Sequence, residues 1–291
     1  MNPAERPLRS REWFDTPELY GWLRLAALRS QGFGPAATDG RPVVGICNSW
    51  SELTHCNAHL RLVAEAVRRG VWQAGGLPLE FPVVSLGEFN MRPTAMLYRN
   101  LMSMDVEESI RANPLDAVVL LGGCDKTTPA LLMGAASADV PAVLVTGGPQ
   151  LTAHWRGEEL GSCTDCRRYH TELRAGRITE ADWAELQDGI VRSPGHCMTM
   201  GTASTMACLA EALGIALPGN GATPAADSRR LRLAEDAGRQ AVLLARHGPR
   251  PSEVLTRAAF ENAIRVLHAL GGSASTYRWA ASTSCRGRRR S

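Results

Sequence analysis

Short apolar runs, each ending in a polar loop, recur along the first half of the chain. The runs at 42–47, 78–84, 117–121 and 140–146 are rich in Val, Leu and Ile, as strands buried on both faces of a parallel sheet are. Between them lie stretches with helical periodicity, such as 58–74. The alternation of strand, loop and helix predicts an α/β fold: a parallel sheet with helices on both faces and loops gathered along one edge.

Helical periodicity also covers much of the remaining sequence. The further predicted helices span 17–31, 94–104, 130–138, 203–213, 227–246 and 252–270. Residues 155–188 are polar and charge-rich, which predicts a helical excursion from the sheet. We therefore expect an N-terminal helical arm over 1–41 and an α/β domain over 42–272.

The last stretch, 273–291, loses apolar periodicity, and four of its final six residues are Arg. A basic tail that binds an acidic partner is one interpretation. A truncation, or a change of reading frame after Gly272, is the interpretation we favour. The sequence therefore predicts an aberrant basic tail without ordered structure.

Composition excludes several classes of protein. The chain has 291 residues, 44% hydrophobic and 21% charged, which is ordinary for a globular protein with a sizeable core. A formal charge of +3 is too small to indicate a nucleic-acid or membrane partner. The sequence shows neither a membrane-spanning run nor a signal-peptide core, so we expect a cytoplasmic protein whose eight cysteines are thiols, metal ligands or core residues.

Reactive side chains follow the strand at 117–121 directly. Gly122 and Gly123 allow a turn, and a thiol, a carboxylate and an amine then come in succession at Cys124, Asp125 and Lys126. In open α/β sheets, ligands bind beyond the carboxyl ends of the strands. The sequence therefore predicts the chemical centre of the protein at these three residues.

Two further cysteines, Cys56 and Cys197, lie in polar loops just before predicted helices. They are too far from Cys124 in sequence for a zinc ribbon or a ferredoxin motif. If the fold gathers their loops, three thiolates suit an iron–sulfur cluster with one iron left open to act as a Lewis acid. Each one alone could equally be a small buried apolar residue.

Hard oxygen ligands accompany the thiols. Asp125 follows Cys124, and Glu88 follows the predicted strand at 78–84; such carboxylates suit Mg²⁺. The alternative is that both acids cap helices, with Lys126 as a counter-charge.

Three motifs carry a resemblance to a known family: Gly123-Cys-Asp-Lys-Thr-Thr-Pro129, Thr54-His-Cys-Asn57 and Gly195-His-Cys-Met-Thr-Met-Gly-Thr-Ala203. Together they resemble the dihydroxy-acid and sugar-acid dehydratases, over about residues 9–272. The segments 85–99 and 132–137 are more similar to the aldonic-acid branch than to dihydroxy-acid dehydratases of branched-chain amino-acid synthesis. The resemblance thus implies a pentonate substrate such as arabinonate or xylonate.

The resemblance also implies roles for six residues. They are Cys56, Cys124 and Cys197 as iron–sulfur ligands, and Glu88, Asp125 and Lys126 as Mg²⁺ ligands, with Lys126 carboxylated to give a further oxygen ligand. Aldonic-acid members favour a [2Fe-2S] cluster, with [4Fe-4S] as the alternative. His55 departs from the family pattern, because many members have Pro there.

The implied reaction dehydrates a 2,3-dihydroxy acid to a 2-keto-3-deoxy acid, with a serine alkoxide as base. Family members are about twice as long as this chain, and their C-terminal β-rich domain supplies that serine and another Mg²⁺-binding glutamate. We expect this domain, and therefore the catalytic serine, to be missing here, so that the isolated chain binds metals but turns over poorly or not at all. Homo-oligomers are implied for the full-length enzyme.

Other functions have weaker support. Cys163 and Cys166 form a Cys-x-x-Cys pair that could carry thiol redox chemistry or zinc, but they lack a preceding strand and a second pair. The Gly122-Gly123 turn matches neither the P-loop nor the dinucleotide-binding pattern.

Overall fold

The computed structural model describes residues 6–276 and contains a four-stranded parallel sheet. The strands are β1 (Val43–Asn48), β2 (Leu77–Pro82), β3 (Ala117–Gly122) and β4 (Ala142–Thr146), in the order β2-β1-β3-β4. Every residue of β1 and β3 is buried, because helices cover both faces of these central strands. The predicted fold class is thereby confirmed.

Helices cover both faces of the sheet. Their bounds are α1 Arg11–Phe14, α2 Leu19–Ser30, α3 Leu60–Gln73, α4 Arg99–Arg111, α5 Thr127–Ala138, α6 Ser162–Arg174, α7 Glu180–Ile190, α8 Thr202–Ala212, α9 Ser228–His247, α10 Pro251–Val254 and α11 Arg257–Ala269. Val119 and Leu121 pack with α3 and α9, whereas Val118 and Leu120 pack with α4, α5, α8 and α11. This alternation is the period of two expected for strands.

The helical excursion predicted at 155–188 is confirmed over α6 and α7, but the segment also contains a short strand. It contains β6 (Glu158–Leu160), which pairs antiparallel with β5 (Ala153–Trp155), and the two helices α6 and α7. The side chain of Thr179 accepts a hydrogen bond from the Asp182 amide and so starts α7. Strands of three residues are too short to give a clear alternation in the sequence.

Several predicted boundaries also shifted. The single helix expected at 252–270 is broken between α10 and α11, where Thr256 caps α11 by accepting a hydrogen bond from the Ala259 amide. The helix expected from residue 130 begins at Thr127, because Pro129 lies in its first turn, where no amide donor is needed. The helix expected at 94–104 begins as a short 3₁₀ turn and continues to Arg111.

The proposed division into an arm, a domain and a tail stays a prediction. Within the expected arm, Ser10 donates two hydrogen bonds to Asp116 at the start of β3, from its amide (2.8 Å) and its hydroxyl (2.7 Å). At the other end, the Ser273 amide donates to the Thr205 hydroxyl on α8 (3.2 Å). The rest of the expected tail, 277–291, lies outside the described residues.

Two glycines allow α3 and α9 to pack closely. A Cβ atom added at Gly70 would lie 1.9 Å from the carbonyl oxygen of Glu235, and one at Gly238 would lie 2.3 Å from that of Val67. Both distances are far below contact distance, so side chains at these positions would force the helices apart.

We expect Gly70→Ala to lower the free energy of unfolding by about 1–3 kcal/mol, since overpacking outweighs the gain of about 1 kcal/mol in helix propensity. Urea unfolding would measure the change. Gly34→Ala is the control, because a Cβ at Gly34 meets nothing within 4 Å. Equal stability of the two variants would contradict the close packing.

Among the described residues, none of the helices is both long and apolar enough to cross a membrane.

Candidate active site

The predicted site residues lie together at the carboxyl edge of the sheet. Cys56 lies in a 3₁₀ turn (His55–Asn57) beyond β1, and Glu88 and Cys124 lie in the loops beyond β2 and β3. All three, together with Asp125 and Cys197, line one cavity of about 480 Å³. The fold therefore brings these five side chains together at one place.

Cys197 reaches this edge through the loop that follows α7. The His196 amide donates to the carbonyl of Gly148 (2.9 Å), and the Gln150 amide donates to the carbonyl of His196 (2.8 Å). This segment therefore runs parallel to the residues that follow β4. It brings Cys197 beside the other two cysteines although it belongs to none of the four strands.

Asn57 ties three of the loops together. Its side-chain oxygen accepts a hydrogen bond from the Gly123 amide (2.9 Å), and its side-chain nitrogen donates to the Ser49 carbonyl (3.0 Å) and the Ser85 hydroxyl (2.8 Å). Asn57 is fully buried. These bonds fix the loops beyond β1, β2 and β3 relative to one another, and sequence reasoning assigned Asn57 no role.

Close backbone approach also brings Cys56 and Cys124 together. A Cβ atom at Gly123 would lie 2.9 Å from the carbonyl oxygen of Cys56. The neighbouring Cys124 thiol, together with burial, raises the pKa of Cys56, and the same pairing lowers the pKa of Cys124. Of the two, Cys124 is therefore the thiol that loses its proton more readily.

Hydroxyl groups surround the sulfur of Cys197. It lies 2.6 Å from the hydroxyl oxygen of Ser162, at the start of α6, and 2.9 Å from that of Thr199. Thr199 lines the cavity, as do Gly201 and Thr202. Ser162 was missed, because a serine at the start of a helix reads as an ordinary capping residue.

Lys126, the only lysine in the chain, lies between the two predicted carboxylates. Its Nζ is 2.6 Å from Asp125 Oδ2 and 3.4 Å from Glu88 Oε2. The lysine side chain is 9% exposed. Burial lowers its pKa, but the hydrogen bonds and charges of Asp125 and Glu88 outweigh burial and raise the pKa above its usual value. The three groups form an ion triplet at the edge of the cavity.

Glu88 also makes the capping contacts that the alternative interpretation required. Its carboxylate accepts hydrogen bonds from the Thr94 hydroxyl (2.6 Å) and the Ala95 amide (3.2 Å) at the start of a 3₁₀ turn. These contacts orient the carboxylate and leave its side chain 38% exposed. Glu88 thus caps the turn and faces the cavity at once.

The three thiols are ligands of the type that an iron–sulfur cluster takes, and the two carboxylates are of the type that Mg²⁺ takes. In residues 6–276, no group of three or more His, Cys, Asp and Glu side chains is arranged to hold one metal ion. A cluster binds its thiolates through different irons, so three thiols around one cavity meet its requirement without meeting at a point. Glu88 and Asp125 would need further oxygen ligands for Mg²⁺, and a carboxylated Lys126 between them would supply one.

A buried polar cluster lies behind the site. His196 is fully buried, and burial lowers its pKa to about 4, so the imidazole is neutral near pH 7. His196 is therefore a buried residue next to Cys197 and does not line the cavity. Arg230, also fully buried, donates to the carbonyl of Asn220 (2.8 Å) and to that of Thr223.

Thr127, Cys47 and Cys166 do not line the cavity. Thr127 is fully buried and donates to the Leu86 carbonyl (3.1 Å). Cys163 and Cys166 lie on α6, and Cys166 packs against an apolar cluster around Tyr169. Cys47 is a core residue of β1. The only cysteines that line the cavity are thus Cys56, Cys124 and Cys197, within the part of the chain that the structure describes.

The chain belongs to the dihydroxy-acid and 6-phosphogluconate dehydratases: the family described as "Dihydroxy-acid/6-phosphogluconate dehydratase N-terminal" matches residues 41–280. The chain is 56% identical over 273 residues to the L-arabonate dehydratase of Azospirillum brasilense, covering 94% of this chain and 47% of that protein.

Two other relatives have lower sequence identity to the chain. The D-xylonate dehydratase of Caulobacter vibrioides is 43% identical over 276 residues, covering 94% of this chain and 46% of that protein. The dihydroxy-acid dehydratase of Moorella thermoacetica is 40% identical over 241 residues, covering 81% of this chain and 44% of that protein. The chain thus spans about half the length of the curated relatives it matches.

Proposed function

We propose that this chain carries the cofactor-binding part of a hydro-lyase that converts a pentonate into a 2-keto-3-deoxy acid. The observation that carries the proposal is the cavity lined by Cys56, Cys124 and Cys197 with Glu88 and Asp125. The choice of a sugar acid over a branched-chain dihydroxy acid rests on the higher identity to the arabonate and xylonate enzymes.

The soft thiol ligands and the hard oxygen ligands of the chain suit different metals. The three thiols would hold an iron–sulfur cluster, and Glu88, Asp125 and carboxylated Lys126 would hold Mg²⁺. Once bound, the two cofactors supply Lewis-acid chemistry toward the oxygens of a polyhydroxy acid. The hydroxyls of Thr199 and Thr202, at the cavity wall, can donate hydrogen bonds to substrate oxygens.

Two aromatic residues shape the mouth of the cavity. Phe89 lines it and is 70% exposed, and its ring lies edge-on to that of His55, with 4.9 Å between the ring centroids. His55, the departure from the family pattern, therefore supports an apolar wall next to Cys56. Such a wall keeps water from one side of the bound acid.

Anaerobic reconstitution with iron and sulfide tests the proposal directly. We expect bound iron and sulfide in stoichiometric amounts, and a visible spectrum that changes on addition of L-arabinonate or D-xylonate more than on addition of a branched-chain dihydroxy acid. Formation of 2-keto acid would be assayed in the same samples. An inactive fragment would bind the cofactors and the acid without turnover, and a protein that binds neither iron nor sulfide would refute the proposal.

Because Lys126 is the only lysine, its carboxylation can be observed in isolation. We expect ¹³C-labelled bicarbonate with Mg²⁺ to give one carbamate resonance from a side chain, which is lost in Lys126→Met. Mg²⁺ affinity of this variant, measured by calorimetry, should fall about tenfold or more, since one ligand is lost. Blocking the α-amino group by acetylation is the control, and a resonance that persists in Lys126→Met would contradict the assignment.

A further inference from the structure

A second cavity, of about 350 Å³, lies at the opposite edge of the sheet. It is lined by Asp116 and Pro141, which directly precede β3 and β4. The active-site loops follow the carboxyl ends of the same strands, so the length of a six-residue strand, roughly 20 Å, separates the two cavities. The second cavity is therefore a separate place in the fold.

Four arginines line this cavity: Arg6, Arg9, Arg111 and Arg250. Arg9 and Arg111 are already engaged with main-chain carbonyls, such as those of Ile110 (3.1 Å) and Ser137 (2.6 Å). Arg111 also pairs with Glu107 (2.9 Å). These two guanidinium groups therefore shape the wall, while their donors are largely used.

Arg6 and Arg250 retain guanidinium N–H donors for a ligand. Arg6 Nη1 is buried without a hydrogen-bond partner among the described residues, and its Nη2 is 3.8 Å from Glu253 Oε2, a long ion pair. Within 6–276, no carboxylate lies within salt-bridge distance of the Arg250 guanidinium. A buried guanidinium donor without an acceptor is costly, so a ligand that brings acceptor oxygens would be stabilised here.

Two carboxylates in the wall do not supply those oxygens. Asp116 accepts hydrogen bonds from the amide and hydroxyl of Ser10 and from the Val43 amide (2.6 Å). Asp139 accepts two from Ser252, at 2.9 Å and 3.0 Å. Both acids are thus committed to the protein.

Outside the lining, Glu253 lies 3.8 Å from Arg6 and accepts a hydrogen bond from the Arg250 amide (2.7 Å). The charge of the Arg250 guanidinium and the unpaired Nη1 of Arg6 therefore remain for a ligand.

We propose that this cavity binds a small anion that carries a phosphate or carboxylate group. Guanidinium groups recognise such planar or tetrahedral oxyanions through paired N–H donors. Apolar residues such as Pro141 and Ala245 form the rest of the wall, which suits a compact organic phosphate or dicarboxylate. The site is independent of the cofactors and of the proposed reaction.

Isothermal titration calorimetry of the full chain with inorganic phosphate, and separately with succinate, at constant ionic strength tests this site. We expect one anion per chain and affinity reduced about tenfold or more in Arg6→Met/Arg250→Met. The matched control is Arg29→Met/Arg265→Met, which removes the same charge from two exposed positions and should leave the affinity unchanged within about twofold.

The two ligands distinguish the chemistry. Saturable binding of phosphate alone, of succinate alone or of both supports the site and identifies the preferred group. A rise in melting temperature with ligand, lost in the Arg6/Arg250 variant, would confirm binding to the folded state. Equal losses in the two double variants, or no saturable binding of either anion, would overturn the proposal, and circular dichroism would show that each variant is folded.

Discussion

Replacing Cys124 by alanine is expected to abolish retention of an iron–sulfur cluster after anaerobic reconstitution. Cys124 lies two residues beyond β3, on a loop that Asn57 fixes through the Gly123 amide. Its thiol is the more acidic of the Cys56–Cys124 pair, and the thiolate is the form that binds metal. Bound iron and sulfide should fall about tenfold or more, since even outer-shell changes cost 10–100-fold in metal affinity.

Cys208→Ala is the matched control for this experiment. Cys208 is a half-buried thiol on α8 that does not line the cavity, and this variant should retain the cluster at the wild-type level. Cys56→Ala and Cys197→Ala should behave like Cys124→Ala. If Cys124→Ala kept its iron while remaining folded, or if Cys208→Ala lost as much, three-thiol ligation would be wrong.

The sequence predicted the parts of the site that follow a simple topological rule. Cys124 and Glu88 come directly after apolar runs, and the carboxyl ends of parallel strands share one edge of the sheet. Cys197 follows no strand; its place in a polar loop before a predicted helix was a weak signal, and the family motif around it gave it a role. The structure supplies the physical reason, because its loop runs beside the residues that follow β4.

The residues that support the site could not be predicted in the same way. Asn57, Ser162 and Arg230 act through hydrogen bonds between segments far apart in sequence, and a single polar residue carries no periodic signal of such a partner. Arg230 lies on the amphipathic helix α9, where an arginine reads as part of the solvated face. Its complete burial became visible only in the folded chain.

Arg230→Met is expected to destabilise the protein and to weaken cluster binding together. The guanidinium donates to the side-chain oxygen of Asn220 (3.2 Å) and to the carbonyls of Asn220 and Thr223. Methionine can fill the space but removes the donor of the Thr223 carbonyl, at about 1–3 kcal/mol for a buried group. The two oxygens of Asn220 lose one donor each but still accept from Thr146, whose amide lies 2.9 Å from the side-chain oxygen.

Relief of the buried charge offsets part of this loss. Burial lowers the pKa of Arg230 to about 10, which shows that the cation is held at some cost. Replacing a buried charge by an apolar side chain of similar volume recovers part of the desolvation cost. With the Thr223 carbonyl left without its donor and each oxygen of Asn220 losing one of its donors, we expect a net decrease of about 1–3 kcal/mol in the free energy of unfolding.

The same substitution should also weaken cluster binding, because Arg230 contacts the loop that holds the segment of Cys197. Gly148 packs so closely on Arg230 that an added Cβ would lie 2.7 Å from Arg230 Nη2, and the Gly148 carbonyl accepts the hydrogen bond of the His196 amide next to Cys197. Loss of the guanidinium therefore loosens the segment that carries the third thiol. We expect Arg230→Met to bind iron more weakly than wild type even at temperatures where it is fully folded.

The adjacent Arg229 provides the control on the same helix. Its exposed side chain pairs only with Asp227, among the contacts that the structure describes for it, so Arg229→Met should change stability by less than about 1 kcal/mol and leave iron content unchanged. Arg230→Lys, which keeps the charge but not the paired donors, should lie between the two. Urea unfolding of apo protein measures the change in stability, and iron content after reconstitution measures the change in cluster binding. Similar values for Arg229→Met and Arg230→Met would show that Arg230 does not support the site.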